Sequence, residues 1–271
     1  MKNTEMPAMR QTSGFTAKSF AASHEKLLPV GCIIMASGLG RRFGRNKLLI
    51  DFHGKPLISH TIEKVRNFPF AKALVVTRHK ETASLCAKEN IPFLLHQLPG
   101  KNDTVRLGLQ KLLADGGNQT HPHLPGQHFR QTLQASSGQL TEQPLQPRIG
   151  QLIGPPLQPC AEPLIGTGIS GCLFWPADQP LVSPESLDAL TRTFFHFPDS
   201  ICRLGYEGTA GSPILFGQKY FPELTALPED KGGSFLAQKY PGQVKIVPAR
   251  DKYELYDIDT PEDLAFLSKF R

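Results

Sequence analysis

Short apolar runs alternate with amphipathic stretches along this chain. Val30–Ala36 (VGCIIMA) is a continuous apolar run that breaks into a glycine-rich loop, the pattern of a buried strand followed by a turn. Leu48–Phe52 reads as a short extended piece. Leu57–Phe68, opened by Pro56, carries Leu57, Ile58, Ile62 and Val65 at helical spacing. Ala71–Thr77 predicts a second strand, Glu81–Asn90 a helix and Ile91–Leu95 a third strand. Asp103–Ala114 predicts a helix carrying Val105, Leu107, Leu109, Leu112 and Leu113. Further on, Ser170–Ala177 predicts a strand. Ser183-Pro184-Glu185 supplies an N-cap with proline in the first helical position, for a helix to about Phe197. Ser200–Leu204 and Pro213–Phe216 predict strands around a glycine-rich loop (Gly205, Gly208, Gly211). Gly233–Tyr240 predicts a short helix, Gln243–Val247 a strand and Tyr253–Ile258 an extended segment. Thr260-Pro261-Glu262-Asp263 caps a last helix, Leu264–Phe270. Strands alternating with helices predict an α/β domain with a mainly parallel sheet, whose ligands bind at the carboxyl ends of the strands.

The alternation fails in two places. Residues 1–29 lack a continuous apolar core of the kind a secretory signal needs, and read as a disordered leader. Residues 116–168 hold eight Pro and nine Gln but only four charged residues, Arg130, Glu142, Arg148 and Glu162. This is a low-complexity insert, predicted to be disordered. It joins a helix end to a strand start, so it is expected on the sheet edge opposite the ligand site. His121, His123 and His128 within it have no acid or cysteine close by, and read as polar loop residues. Without leader and insert the chain is the size of one nucleotide-binding domain.

Composition narrows the function. Among 271 residues, 30 Lys and Arg against 24 Asp and Glu give a net charge of +6. The densest basic cluster, Arg41, Arg42, Arg45 and Lys47, lies in a glycine loop, which suits a small polyanion rather than a nucleic-acid track. No apolar run is long enough to span a membrane. The five cysteines, at 32, 86, 160, 172 and 202, form no CxxC pair. They read as reduced, mostly buried thiols of a cytoplasmic protein.

The loop Ala36-Ser37-Gly38-Leu39-Gly40-Arg41-Arg42-Phe43-Gly44-Arg45-Asn46-Lys47 carries the chemistry. Glycines let backbone N–H groups turn toward an anion, and a following cation neutralises phosphate. The glycine spacing nearly matches a dinucleotide fingerprint. That turn carries no obligatory cations, however, and a Walker A loop would end in GK followed by Ser or Thr.

The pattern A-A/S-G-x-G-x-R-F-G-x-x-K-L-L resembles the MobA/MocA-type nucleotidyltransferase family. Gly100–Gly108 (GKNDTVRLG) resembles the family segment beside base and ribose, and Ala177-Asp178-Gln179-Pro180-Leu181 its metal motif. Gly211-Ser212-Pro213 with Leu215-Phe216, the run Glu229–Gly233, and Asp257-Ile258-Asp259-Thr260-Pro261-Glu262-Asp263-Leu264 follow in the family's order. The DQPL and DIDTPED forms are closest to its molybdenum cofactor cytidylyltransferase branch. Ala177 stands where Gly is usual, and His96-Gln97-Leu98-Pro99 where Asn-Pro is common.

The resemblance implies a three-layer Rossmann-like fold of the nucleotide-diphospho-sugar transferase kind. It implies transfer of CMP from CTP to the terminal phosphate of molybdenum-bound molybdopterin, with release of pyrophosphate. On this reading Lys47, Arg42 and Asp178 are catalytic. Ala36, Ser37, Gly38, Leu39, Gly40, Gly100, Thr104 and Arg106 bind nucleotide together with Arg42 and Lys47. Gly211, Ser212, Pro213, Lys231 and Gly232 receive the acceptor. Mg²⁺, with Mn²⁺ as an alternative, is held by Asp178 and either Asp257 or Asp259, Asp259 being favoured. A molybdenum hydroxylase or its insertion chaperone is the expected partner, with no nucleic acid or membrane, and the chain is expected to be a monomer or weak dimer. Other readings are transfer of GMP or another nucleotide, a non-catalytic cofactor chaperone, and an NADP-dependent oxidoreductase. The oxidoreductase reading leaves the aspartates without a role.

Overall fold

The computed structural model describes residues 28–38, 40–114 and 168–270. Seven strands form one sheet: β1 (Leu28–Ala36), β4 (Phe70–Thr77), β5 (Phe93–Leu95), β6 (Gly171–Pro176), β7 (Ile201–Tyr206), β8 (Thr209–Gly217) and β9 (Val244–Pro248). Their spatial order is β5-β4-β1-β6-β8-β7-β9. Only β8 runs antiparallel to its neighbours. A separate hairpin, β2 (Asp51–Phe52) with β3 (Lys55–Pro56), turns through His53 and Gly54, both at positive φ.

Alternation along β1 shows how the sheet separates two apolar layers. Val30, Cys32, Ile34 and Ala36 enter one core, and Ile33 the other. The first layer is covered by α1 (Leu57–Asn67), α2 (Lys80–Lys88), α4 (Pro184–His196) and α7 (Pro261–Leu267). The second is covered by α3 (Lys101–Ala114), α5 (Phe221–Thr225) and α6 (Ser234–Lys239). The result is a three-layer α/β architecture, with the mainly parallel sheet that the strand–helix alternation predicts and the layering that the family resemblance implies. Gly108 lets α3 lie flat on the sheet, since a Cβ there would come within 2.9 Å of Val76. Cys32, Cys86, Cys172 and Cys202 are buried free thiols. No helix among the described residues is long and apolar enough to cross a membrane.

Four local readings change. Leu48–Phe52, expected to be extended, opens instead in a 3-10 turn, Lys47–Leu49, capped by Asn46, whose side chain accepts from the Leu48 N–H, and only Asp51–Phe52 is a strand. Tyr253–Ile258, also expected to be extended, begins within a 3-10 turn, Lys252–Leu255, capped by Asp251, and the extended stretch starts at Tyr256. The glycine-rich loop 205–212 is instead a β-hairpin, in which Gly205 pairs with Ala210 around a tight turn at Glu207 and Gly208. The last helix begins three residues early, because Thr260 and Asp263 form a reciprocal capping box in front of Pro261.

The expected leader and insert lie almost wholly outside the described residues. The points where the chain leaves and returns are both at the amino edge of the sheet. The Leu112 carbonyl near the end of α3 accepts from Lys72 near the start of β4, and Ser170 N–H donates to Pro29 in β1. Replacing 117–166 with a short Gly/Ser linker is therefore expected to leave the melting temperature within a few degrees and nucleotide binding intact. A folded deletion variant that no longer binds nucleotide would contradict this placement.

Candidate active site

The carboxyl ends of β1 and β6 lie side by side, with Met35 opposite Pro176. The glycine loop leaves β1 there, and the turn carrying Asp178 leaves β6. The segment before α7 is tied to that turn, Ile258 N–H donating to the Asp178 carbonyl at 3.0 Å. Ile258 is buried in the core. The extended backbone on either side turns Asp257 and Asp259 toward one side.

Lys47 is the centre of the site. Gly40 has φ +55°, and a Cβ there would meet the Arg45 carbonyl at 3.0 Å, so the loop can double back only with glycine at this position. Asn46 donates to Thr82 at 2.8 Å, which pins the loop to α2. Leu48 is buried in the core. With both neighbours fixed, the Lys47 side chain is directed inward and only 8% exposed. Its Nζ donates to Asp178 Oδ2 and to Asp259 Oδ1, each at 2.6 Å. Burial disfavours the ammonium, but the Asp178 charge and hydrogen bonds to both carboxylates outweigh this and hold it above the ordinary lysine value. Arg42, 72% exposed, lies 3.6 Å from the other Asp259 oxygen. Asp257 is close by, its carboxyl pushed up to about 6 by partial burial and by the Asp178 charge, against a hydrogen bond from Gln179.

The other sequence candidates fall into three groups. Ala36 ends β1 and is buried. Ser37 meets His96 Nε2 at 2.9 Å, and the exposed Gly38 accepts from His79 at 2.8 Å. Leu39 lies outside the described residues. Gly100 and Thr104 are buried at the start of α3, where Asp103 accepts from Gly100 N–H at 3.0 Å and from Arg106 at 2.7 Å. Asp103 thus occupies Arg106 before any ligand does. Gly211 packs on Leu255, with a Cβ there coming within 2.9 Å, while Lys231 and Gly232 lie in the turn before α6. Since α6 has only six residues, its N-terminus is a weak anion site.

The sequence reading missed a brace beneath the carboxylates. Lys64, on α1, donates to the Pro180 carbonyl in the Asp178 turn, and the buried Glu254 attracts it electrostatically. Gln179 donates to the Leu255 carbonyl at 3.3 Å. Together these groups tie α1, the Asp178 turn and the Asp259 segment into one unit. Only the helical face of Lys64, directed inward beside Val65, hinted at a partner in the sequence.

Asp178 and Asp259 reach the same ammonium, so their oxygens lie no more than about twice the 2.6 Å contact apart. Two converging carboxylates are hard oxygen donors. Among the described residues no group of three His, Cys, Asp or Glu side chains could hold a metal. Such a pair fits a divalent cation that takes its remaining ligands from phosphate and water.

The glycine loop, the buried lysine and the aspartate pair thus meet at the carboxyl edge of a mainly parallel sheet. The chain belongs to the family of MobA-like NTP transferase domains, whose model matches residues 32–141 and 161–244. It is 34% identical over 99 residues to the purine catabolism protein PucB of Bacillus subtilis, covering 35% of this chain and 46% of that protein. It is 30% identical over 88 residues to a probable molybdenum cofactor guanylyltransferase of Pyrococcus horikoshii, covering 31% and 46% respectively. The chain thus spans just under half the length of these curated relatives. Its fold is shared with a solved protein of Mycobacterium tuberculosis H37Rv at a TM-score of 0.61 and 17% identity, covering 89% of this chain and 99% of that one. The mycobacterial protein has also been solved in complex with manganese (TM-score 0.54, 14% identity).

Lys64 gives a pH test of the brace. Burial pulls its ammonium down to about 8, against the attraction of Glu254. A lysine lowered on folding contributes stability that is present above its unfolded value, roughly 10.4, and lost as the pH falls through its folded value. The melting temperature of the wild type minus that of Lys64→Met is therefore expected to become more positive from pH 7 to pH 10. A gap that stays flat or shrinks over that window would contradict the buried, charge-penalised lysine.

Proposed function

We propose that the protein transfers a nucleoside monophosphate, CMP from CTP, to the terminal phosphate of molybdenum-bound molybdopterin and releases pyrophosphate. The observation that carries this reading is the buried Lys47 ammonium clamped between Asp178 and Asp259 under a glycine loop. The family, and relatives named for guanylyl transfer to the molybdenum cofactor, support it. The DQPL and DIDTPED forms favour CTP, and the names of the relatives make GTP the alternative.

The chemistry joins two anions. An oxygen of the acceptor phosphate attacks the α-phosphorus. The bond from that phosphorus to the oxygen bridging toward the β-phosphate breaks, and pyrophosphate leaves with the electron pair. Such in-line displacement needs positioning and charge neutralisation, not a protein nucleophile. The four described cysteines suit this, since burial raises their thiols, Cys86 to about 12, and none offers a thiolate.

Lys47 neutralises the charge that builds on the triphosphate, exchanging carboxylate partners for phosphate oxygens. Arg42, exposed at the rim, closes on the same phosphates. Backbone N–H groups of Ser37, Gly38 and Gly40 are offered to the same phosphates. Asp178 and Asp259 would hold a divalent cation, Mg²⁺ or Mn²⁺, with Asp257 beside them; bound there, it would screen phosphate charge. The Gly211–Pro213 strand and the Lys231–Gly232 turn face the acceptor. A molybdenum hydroxylase or its insertion chaperone, in the cytoplasm, takes the product.

Pyrophosphate release from CTP with molybdenum-molybdopterin tests the reading. Asp178→Ala is expected to abolish it, and Lys47→Ala to lower kcat/KM by about 10²-fold or more, the usual size of a lost transition-state charge contact. CTP is expected to outcompete GTP and ATP in a mixed turnover. Near-wild-type rates in either variant would overturn the assigned roles, and turnover dominated by GTP would make the protein a guanylyltransferase.

A further inference from the structure

A transfer between two phosphates needs a cation on the acceptor side, and the residues assigned there so far are mostly backbone. Only Lys231, exposed on its turn, brings a charge. Strand β7 supplies another. Its Cys202 and Leu204 enter the first core, while Ile201 enters the second, so Arg203 stands on the second face. Its neighbours across the sheet are Ile214 on β8 and, beyond that, Phe174 on β6, both apolar. Neither neighbour offers a counter-charge to the guanidinium.

Its contacts are incomplete. Arg203 Nε donates to the Gly211 carbonyl at 2.9 Å. Among the described residues it makes no ion pair with a carboxylate, whereas Lys47 is held by two and Lys64 faces Glu254. The side chain is half-buried, yet none of its remaining nitrogens is sealed in the interior without a partner. One N–H therefore fixes the plane of the fork, and the others stay open to a ligand. Guanidinium groups held in this way suit phosphate, because two parallel N–H donors match two oxygens.

The position is also apt. β7 runs parallel to β9 and antiparallel to β8, which is antiparallel to β6, so β7 ends at the sheet edge where Asp178 stands. The carbonyl that anchors Arg203 belongs to Gly211, which lies against Leu255, and the Leu255 carbonyl accepts from Gln179 beside Asp178. On the same face, Gly233 lies against the Phe216 ring, which brings the Lys231–Gly233 turn over these strands.

We propose that Arg203 binds the phosphate monoester of the acceptor through its free guanidinium N–H groups, its plane set by the Gly211 carbonyl. This rests on the phosphate-to-phosphate reading above. In steady-state assays that vary nucleotide and molybdenum-molybdopterin separately, Arg203→Met is expected to raise the acceptor KM about tenfold or more and leave the nucleotide KM within twofold. Arg203→Lys, which keeps the charge without the fork, is expected to fall between. An acceptor KM unchanged in Arg203→Met would overturn the proposal.

A second arm does not depend on turnover. Inorganic phosphate is titrated calorimetrically into protein saturated with whichever Mg·NTP raises its melting temperature most. The wild type is expected to bind phosphate and Arg203→Met to lose that binding, with Arg203→Lys deciding the point if the Met variant melts much lower. Equal phosphate binding by wild type and both variants would overturn the assignment. If the wild type released no pyrophosphate with any nucleotide, the transfer reading would fail, and the phosphate titration would still decide the role of Arg203.

Discussion

The site depends on one buried charge. Lys47 lies 131 residues from Asp178 and 212 from Asp259, yet one ammonium holds both carboxylates. Two aspartates this close repel each other, and a lysine this buried without a counter-charge would shed its proton. The two carboxylates hold the Lys47 ammonium in its charged form against the cost of burial. Under the proposed function, phosphate replaces carboxylate on the lysine and a cation replaces the lysine on the carboxylates.

The fold is organised to deliver these three groups. The loop after β1 brings Lys47 and is pinned by Asn46 on Thr82 and by Leu48 in the core. The turn after β6 brings Asp178, and α1 steadies it from below through Lys64. The final segment brings Asp259, tied by Ile258 N–H to the Asp178 carbonyl and held in line by the capping box at Thr260. The antiparallel hairpin β7–β8 lies toward the same edge, so that one half of the edge carries the glycine loop and the other half carries Arg203 and Gly211.

Much of this was legible in the sequence, because its signals are local. Apolar runs marked β1, β4 and β6, and Ser183-Pro184 marked the start of α4. The glycine loop and the two aspartate motifs were readable as short patterns. Long-range pairing was not readable. That Lys47 contacts Asp178 and Asp259 at once and that Lys64 reaches Pro180 are facts of tertiary packing. The 3-10 turn at Lys252–Leu255 overlaps the stretch Tyr253–Ile258 that the sequence reads as extended. Its shape follows from the Asp251 cap and from burial of Glu254 near Lys64. Arg203 was hidden for a related reason: in a strand of apolar neighbours, its lack of an acid partner shows only once the sheet is assembled.

The central claim is that the Lys47 ammonium and its carboxylates stabilise one another. The most direct measurement is a double-mutant cycle on the ligand-free protein, comparing unfolding free energies of wild type, Lys47→Met, Asp178→Asn and the double variant. Removing one partner of a buried pair costs more than removing both, so the account predicts that each single variant is destabilised and that the double variant recovers much of the loss. The expected coupling is roughly 1–3 kcal/mol. Single effects that simply add would contradict it.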